Sequence, residues 1–226
     1  MHKKPSAAKG SSRATVKPKA DALADEVALN DCLSRRRCSL HNYDKGKKDE
    51  KCCPPQTGHH LIEASALFEK RPSGEDGNNL ASFPNSPQKY NESYAPCVCA
   101  EGTSNKLGGT HELMHVLQSA ESLKCESKPN ITLSDGNTID DRVTTYGKAK
   151  KTAINSFQKV FADSGCDPKC IENQLDHYHN KCGIDNNTEI KAVVSPKDVN
   201  DEMIKAAIEE ANRRYSEVLF KRLGFG

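Results

Sequence analysis

Ten cysteines, all lying between Cys32 and Cys182, constrain this chain more than any other feature. An even count in a chain of this size points to a disulfide framework. The need for one follows from the thin supply of core residues. Of 226 residues, 35% are apolar and 28% charged, and there is no Trp. The length still allows one domain with a core. Each long-loop bridge would add ~3 kcal/mol to such a domain. Structural zinc is the weaker expectation, because no pair has the C-x2-C spacing of zinc ribbons and the adjacent Cys52 and Cys53 do not easily serve one partner. Which cysteines pair is left open by the spacing.

No stretch approaches the ~20 apolar residues of a membrane-spanning helix. No apolar run follows Met1, so no secretory signal peptide is expected. Three routes reconcile this with the cysteines. The thiols stay reduced or bind metal in a cytosol, the chain leaves the cell without a signal peptide, or it is cut from a larger secreted polypeptide. Basic and acidic residues nearly balance, 33 against 31. Contact with nucleic acid would therefore rest on a local basic surface, not on global charge.

Residues 1–20 hold six Lys/Arg and no Asp or Glu, which reads as a disordered basic tail or linker. Residues 21–226 form the domain. Leu23, Val27 and Leu33 predict a helix over 21–33, followed by the cluster Arg35, Arg36 and Arg37 and a Lys-rich loop over 45–51. These are the candidate nucleic-acid-contacting residues. Pro and Gly make 71–95 a long irregular loop, the kind that often carries function. Residues 96–100 read as a short strand, and Thr110 as the N-cap of a helix starting at His111. The remainder reads as mostly helical. One helix spans 148–163 and a second is capped by Asp167 with Pro168 at its first position. A strand is expected over 189–195. A C-terminal helix after Pro196 carries a stripe of Ile204, Ile208, Ala211, Tyr215, Val218 and Leu219. The fold class is α+β, helix-rich, with few short strands.

Two pairs of histidines stand out from the eight present. His111 and His115 lie four apart on the predicted helix, so both imidazoles face one way, about 6 Å apart at Cβ. That suits two ligands of one metal. His59 and His60 are adjacent after Gly58, and on extended chain neighbours point to opposite sides. One of them can join the metal, and the other is held beside it. A metal next to an unligated imidazole is a hydrolytic arrangement, with a base to take a proton from water.

Gly58, His59, His60, Leu61 and Ile62, then Ala95, Pro96, Cys97, Val98 and Cys99, then Gly109, Thr110, His111, Met114 and His115 together resemble the GHH branch of the HNH/endonuclease VII nucleases. Cys32, Cys38, Cys52, Cys53 and Pro54 also look like that family, as do Cys166, Asp167, Pro168, Cys170, Ile171, Gln174, Leu175, Tyr178 and His179, so the resemblance covers most of residues 30–182. Glu112 departs from it, where a small residue is expected. These nucleases are toxin domains of bacterial polymorphic toxins and type VI secretion effectors, often fused behind a PAAR spike-tip domain. The resemblance implies a small ββα-metal core embellished with helices and a cysteine framework. It also implies a divalent metal on His59, His111 and His115, with His60 as general base and Asn105 as a supporting residue. The metal is Zn, Mg, Mn or Ni; three imidazoles favour Zn, Ni or Mn by ligand softness. DNA is the implied substrate, cut in the cytoplasm of a target bacterium. A cognate immunity protein and an upstream delivery domain are the implied partners.

Two other classes compete. His111, Glu112 and His115 spell H-E-x-x-H, the zinc-peptidase motif in which the Glu activates water. Against it, Gly108 and Gly109 put His111 at the helix start, Glu121 and Glu126 are third-ligand candidates by residue type only, and His59 and His60 go unexplained. The sequons at Asn91, Asn130 and Asn186 fit an extracellular, non-enzymatic cysteine-rich binding module.

Overall fold

The computed structural model describes residues 13–28, 30–43, 52, 56–67, 90–102, 105–133 and 135–224. Its organising unit is a hairpin crossed by a helix. Strand β2 (Gln56–His60) pairs antiparallel with β3 (Pro96–Glu101), setting Gly58 opposite Cys99, His59 opposite Val98 and His60 opposite Cys97. The short β1 (His41–Asn42) joins the other edge of β3. Period-two alternation then places Thr57 and His59 on one face of the hairpin, with Gly58 and His60 on the other.

Helix α3 (Gly109–Ser122) packs against the first face. Its start differs from expectation. Gly108 is the N-cap and Thr110 lies in the first turn, its hydroxyl bound to the Glu101 carboxylate. Glu112 reaches back to accept the Gly108 N–H at 2.6 Å, in the manner of a capping box. Asp21 accepts the Gly109 N–H at 2.8 Å, satisfying a second orphan donor. Gly109 sits at φ +68°, and a Cβ there would lie 2.3 Å from the Glu101 carbonyl oxygen, so no other residue fits this entry.

Asp21 belongs to α1 (Arg13–Ala28), whose first eight residues lie within the expected tail. Residues 13–20 are helical, and Ala20, Ala24 and Val27 are buried along one face. Small side chains let α1 approach the glycines at the start of α3, an advantage that a composition argument does not see. The first twelve residues of the expected tail, the Lys-rich 45–51 loop and most of the 71–95 loop lie outside the described residues.

Helices α2 (Asp31–Arg36), α4 (Tyr146–Val160) and α5 (Pro168–Lys181) complete the core's frame. Asp167 caps α5 and Pro168 is at its first turn, as the sequence predicts. The core gathers Leu61, Leu67, Met114, Tyr146, Phe157, Phe161, Ile171 and Leu175. A second sheet, β4 (Ser127–Thr132), β5 (Thr138–Thr145) and β6 (Glu189–Lys191), flanks it. The β4–β5 hairpin contradicts the helical reading of this stretch. Pro129 and mostly exposed side chains hid it, since Pro is tolerated only on edge strands and no apolar alternation marks β4. Helix α6 (Asp201–Arg222) buries Ala207 and Ala211, but leaves Ile208, Tyr215 and Leu219 of the expected stripe exposed.

Two bridges support the expected framework: Cys38–Cys166 ties α2 to the start of α5, and Cys52–Cys99 ties the segment before β2 to β3. No helix among the described residues is long and apolar enough to cross a membrane.

Candidate metal centre

His59 from β2 and His111 and His115 from α3 converge. One ligand atom from each lies within 4.8 Å of the other two. The His59 ring meets His111 and His115 edge-on, at 5.2 and 4.5 Å between centroids. Each helix imidazole is oriented from behind. The Thr57 hydroxyl donates to the Gly102 carbonyl at 2.6 Å, so at 2.7 Å from His111 Nδ1 its oxygen accepts the ring N–H. The Glu63 carboxylate accepts from His115 Nδ1 at 2.9 Å. Both rings thereby keep their lone pair on Nε2. A carboxylate or hydroxyl behind a ligating imidazole fixes tautomer and orientation.

The fit to a cation rests on His59. It is 1% exposed, and neither ring nitrogen has a hydrogen-bond partner among the described residues. A buried polar group left so is costly unless something absent from the protein chain completes it. Burial, then the imidazoles of His115 and His111, holds His59 well below the ordinary histidine range. Burial and His115 likewise bring His111 down to about 3. At neutral pH these two rings are uncharged and their lone pairs are available. A set of three imidazole ligands fits a borderline divalent cation.

His60 occupies the other face. Its ring stands 4.3 Å from that of Tyr43, and Nε2 is 3.2 Å from the Glu92 carbonyl oxygen. A carbonyl only accepts, so that bond puts the proton on Nε2 and the lone pair on Nδ1. The segment bearing Glu92 is pinned by α5, whose Tyr178 hydroxyl donates to the Asn91 carbonyl at 2.6 Å and accepts the Asn91 N–H at 3.0 Å. His179 beside it is buried and donates from Nδ1 to the Leu175 carbonyl; it packs on Tyr146 rather than joining the cluster.

The other expected site residues divide. The Asn105 amide donates to Ser195 Oγ at 2.6 Å, tying the loop before α3 to the segment leading to α6. Glu112 is committed to the helix start, and exposed Glu121 pairs with Lys124, so the third imidazole comes from the hairpin. Arg37 corrects the basic cluster. It is 2% exposed, bonded to Glu101 at 2.8 Å and Asp163 at 3.0 Å and stacked over Phe161, and is therefore structural. Arg35 and Arg36 remain exposed. Sequence reasoning missed Thr57 and Glu63. Thr57 was accessible in principle, because a residue two before His59 on a strand shares its face. A further groove, of about 670 Å³, runs from Glu63 and Gln118 past α4, where it is lined by Lys148, Lys151 and Lys159.

A hairpin and a helix that bring imidazoles to one point define a ββα-metal nuclease domain. The chain belongs to the family described as GHH signature containing HNH/Endo VII superfamily nuclease toxin 2, which it matches over residues 56–179. It is also 48% identical over 174 residues to the DNase toxin Tse7 of Pseudomonas aeruginosa strain PAO1. That alignment covers 77% of this chain and 42% of the relative, so the chain spans under half the relative's length. No solved structure matches the chain.

Proposed function

We propose that this chain is a metal-dependent endonuclease toxin that hydrolyses DNA in target bacteria. The observation that carries the reading is the buried His59, both its nitrogens without a hydrogen-bond partner among the described residues, facing two imidazoles held at Nδ1 by Thr57 and Glu63. His59, His111 and His115 would hold one divalent cation; among Zn, Ni, Mn and Mg, the all-imidazole set favours the first three. Such a cation would supply charge neutralisation at a phosphodiester. The adjacent His60 takes a proton from water through Nδ1, with Glu92 and Tyr43 holding its ring. Glu63 and Thr57 position the two helix imidazoles. Asn105 supports the loop that leads into α3. The relative's description as a DNase supports DNA over RNA.

Phosphate contacts fall to Arg35 and Arg36, and to Lys148, Lys151 and Lys159 along the α4 groove that opens beside Glu63. The chain acts in the cytoplasm of a target cell, delivered behind an upstream PAAR-type domain, and the producer is protected by an immunity protein. The test is incubation with plasmid DNA, RNA and casein, with and without chelator. Chelator-sensitive cutting of the plasmid alone is expected. Casein cleavage, or plasmid cleavage indifferent to chelator, would refute the assignment.

A further inference from the structure

A second constellation sits on the outer face of the same hairpin. His41 Nε2 lies 3.2 Å from Cys52 Sγ and 3.2 Å from Cys99 Sγ. Its Nδ1 is 3.0 Å from the Asn42 carbonyl oxygen, which can only accept, so the ring proton is on Nδ1 and the Nε2 lone pair faces both sulfurs. In the disulfide neither sulfur carries a hydrogen. Three electron-pair donors therefore converge with no proton between them. Across a tetrahedral zinc, bonds of ~2.05 Å to nitrogen and ~2.3 Å to sulfur put N and S about 3.5 Å apart, close to the contacts observed. Gly58 leaves the room, since a Cβ there would meet Tyr43 at 3.2 Å and His41 at 3.5 Å.

We propose that His41, Cys52 and Cys99 form a second metal site, for zinc or a similarly soft divalent cation, that replaces the Cys52–Cys99 disulfide when the protein is reduced. A cellular dithiol transfers two electrons and two protons to the disulfide and is itself oxidised to a disulfide, leaving Cys52 and Cys99 as thiols. The cation then displaces both thiol protons to solvent and binds two thiolates and one neutral imidazole, a set of zero net charge. Cys99 pairs with Gly58, the residue before His59, so the exchange keeps the segment before β2 cross-linked to the hairpin in both redox states and adds β1 in the reduced one. An oxidised outside and a reduced cytosol would otherwise give this hairpin two different supports. The inference is independent of the nuclease reading and is tested without substrate.

The full chain is reduced anaerobically with a phosphine, equilibrated with zinc, desalted and assayed for metal per chain, beside oxidised protein treated alike. Reduced wild type is expected to retain about one zinc more than oxidised protein. Both Cys99→Ser and His41→Ala should lose that increment, whereas His115→Ala should keep it. With cobalt, reduced wild type should show a thiolate charge-transfer band that His41→Ala weakens. Should Cys99→Ser fail to fold, His41→Ala decides, because it keeps both cysteines and, by alkylation and mass, should keep the oxidised disulfide. Equal zinc in the two redox states, or an increment that survives His41→Ala, would overturn the site.

Discussion

Two buried polar clusters lean on one hairpin and obey opposite rules. At one end, Arg37 bonds Glu101 and Asp163, and Glu101 also accepts from Gln56 and Thr110 while Ser34 donates to Asp163. Opposite charges meet there with hydrogen bonds on nearly every side, as burial of ions demands. On the face toward α3, His59, His111 and His115 gather three groups of the same kind, and neither His59 nitrogen has a hydrogen-bond partner among the described residues. The first cluster balances its charges within the protein, whereas the second leaves both His59 nitrogens without a hydrogen-bond partner among the described residues. Arg37 belongs to the first kind, its charge met by Glu101 and Asp163 inside the protein, so it does not present a cation to DNA.

The contrast can be broken most strongly at His60. His60→Ala should lower plasmid cleavage by ~10²–10⁴-fold with bound metal retained, whereas His111→Ala should lose metal and cleavage together. Loss of metal from His60→Ala would place it among the ligands instead. In the ionic cluster, Arg37→Ala leaves Glu101 and Asp163 buried without their cation. It should cost ~3–5 kcal/mol in urea unfolding, and a loss below ~1 kcal/mol would show the cluster to be solvated.

Acid acts on the imidazoles. Burial lowers His179 from the ordinary 6.5 to about 4, so the native state keeps it neutral where the unfolded chain would protonate it. Its contribution, ~3 kcal/mol at most, is present above pH ~6.5 and fades as pH falls toward ~4. Unfolding of His179→Gln should therefore depend less steeply on pH across that window; an unchanged slope would exclude His179 as the source. The smaller effects lie at two glutamates that touch α3. Glu63→Gln weakens the hold on His115 and should lower metal affinity ~10–100-fold. Glu112→Gln alters only the helix start and should keep cleavage within about tenfold. The reverse ranking would return the water-activating role to Glu112.

Much of this was legible in the sequence because it rests on short-range periodicity. The four-residue spacing of His111 and His115, the alternation at His59 and His60, and the Asp167 and Pro168 start of α5 are local patterns with one geometric meaning. What was not legible depends on distant partners. Arg35, Arg36 and Arg37 look alike in one dimension, and only the packing of α2 on the Ala162–Ser164 turn, with Glu101 of β3 beside it, takes Arg37 inside. The Glu63 role needs β2 and α3 in register. Residues 13–20 read as a tail because they are rich in Lys and Arg, lack acidic residues and offer only Ala20 to the core, and β4 went unseen because Pro129 and exposed polar residues mask a strand.

The central claim, that the three imidazoles hold a cation, is tested most directly by crystals grown with zinc or manganese and measured at the metal's absorption edge. The account predicts an anomalous peak between His59, His111 and His115, about 2.0–2.1 Å from each imidazole nitrogen for zinc. An empty cluster in such crystals, with water or a side chain bonded to the His59 nitrogens, would contradict it.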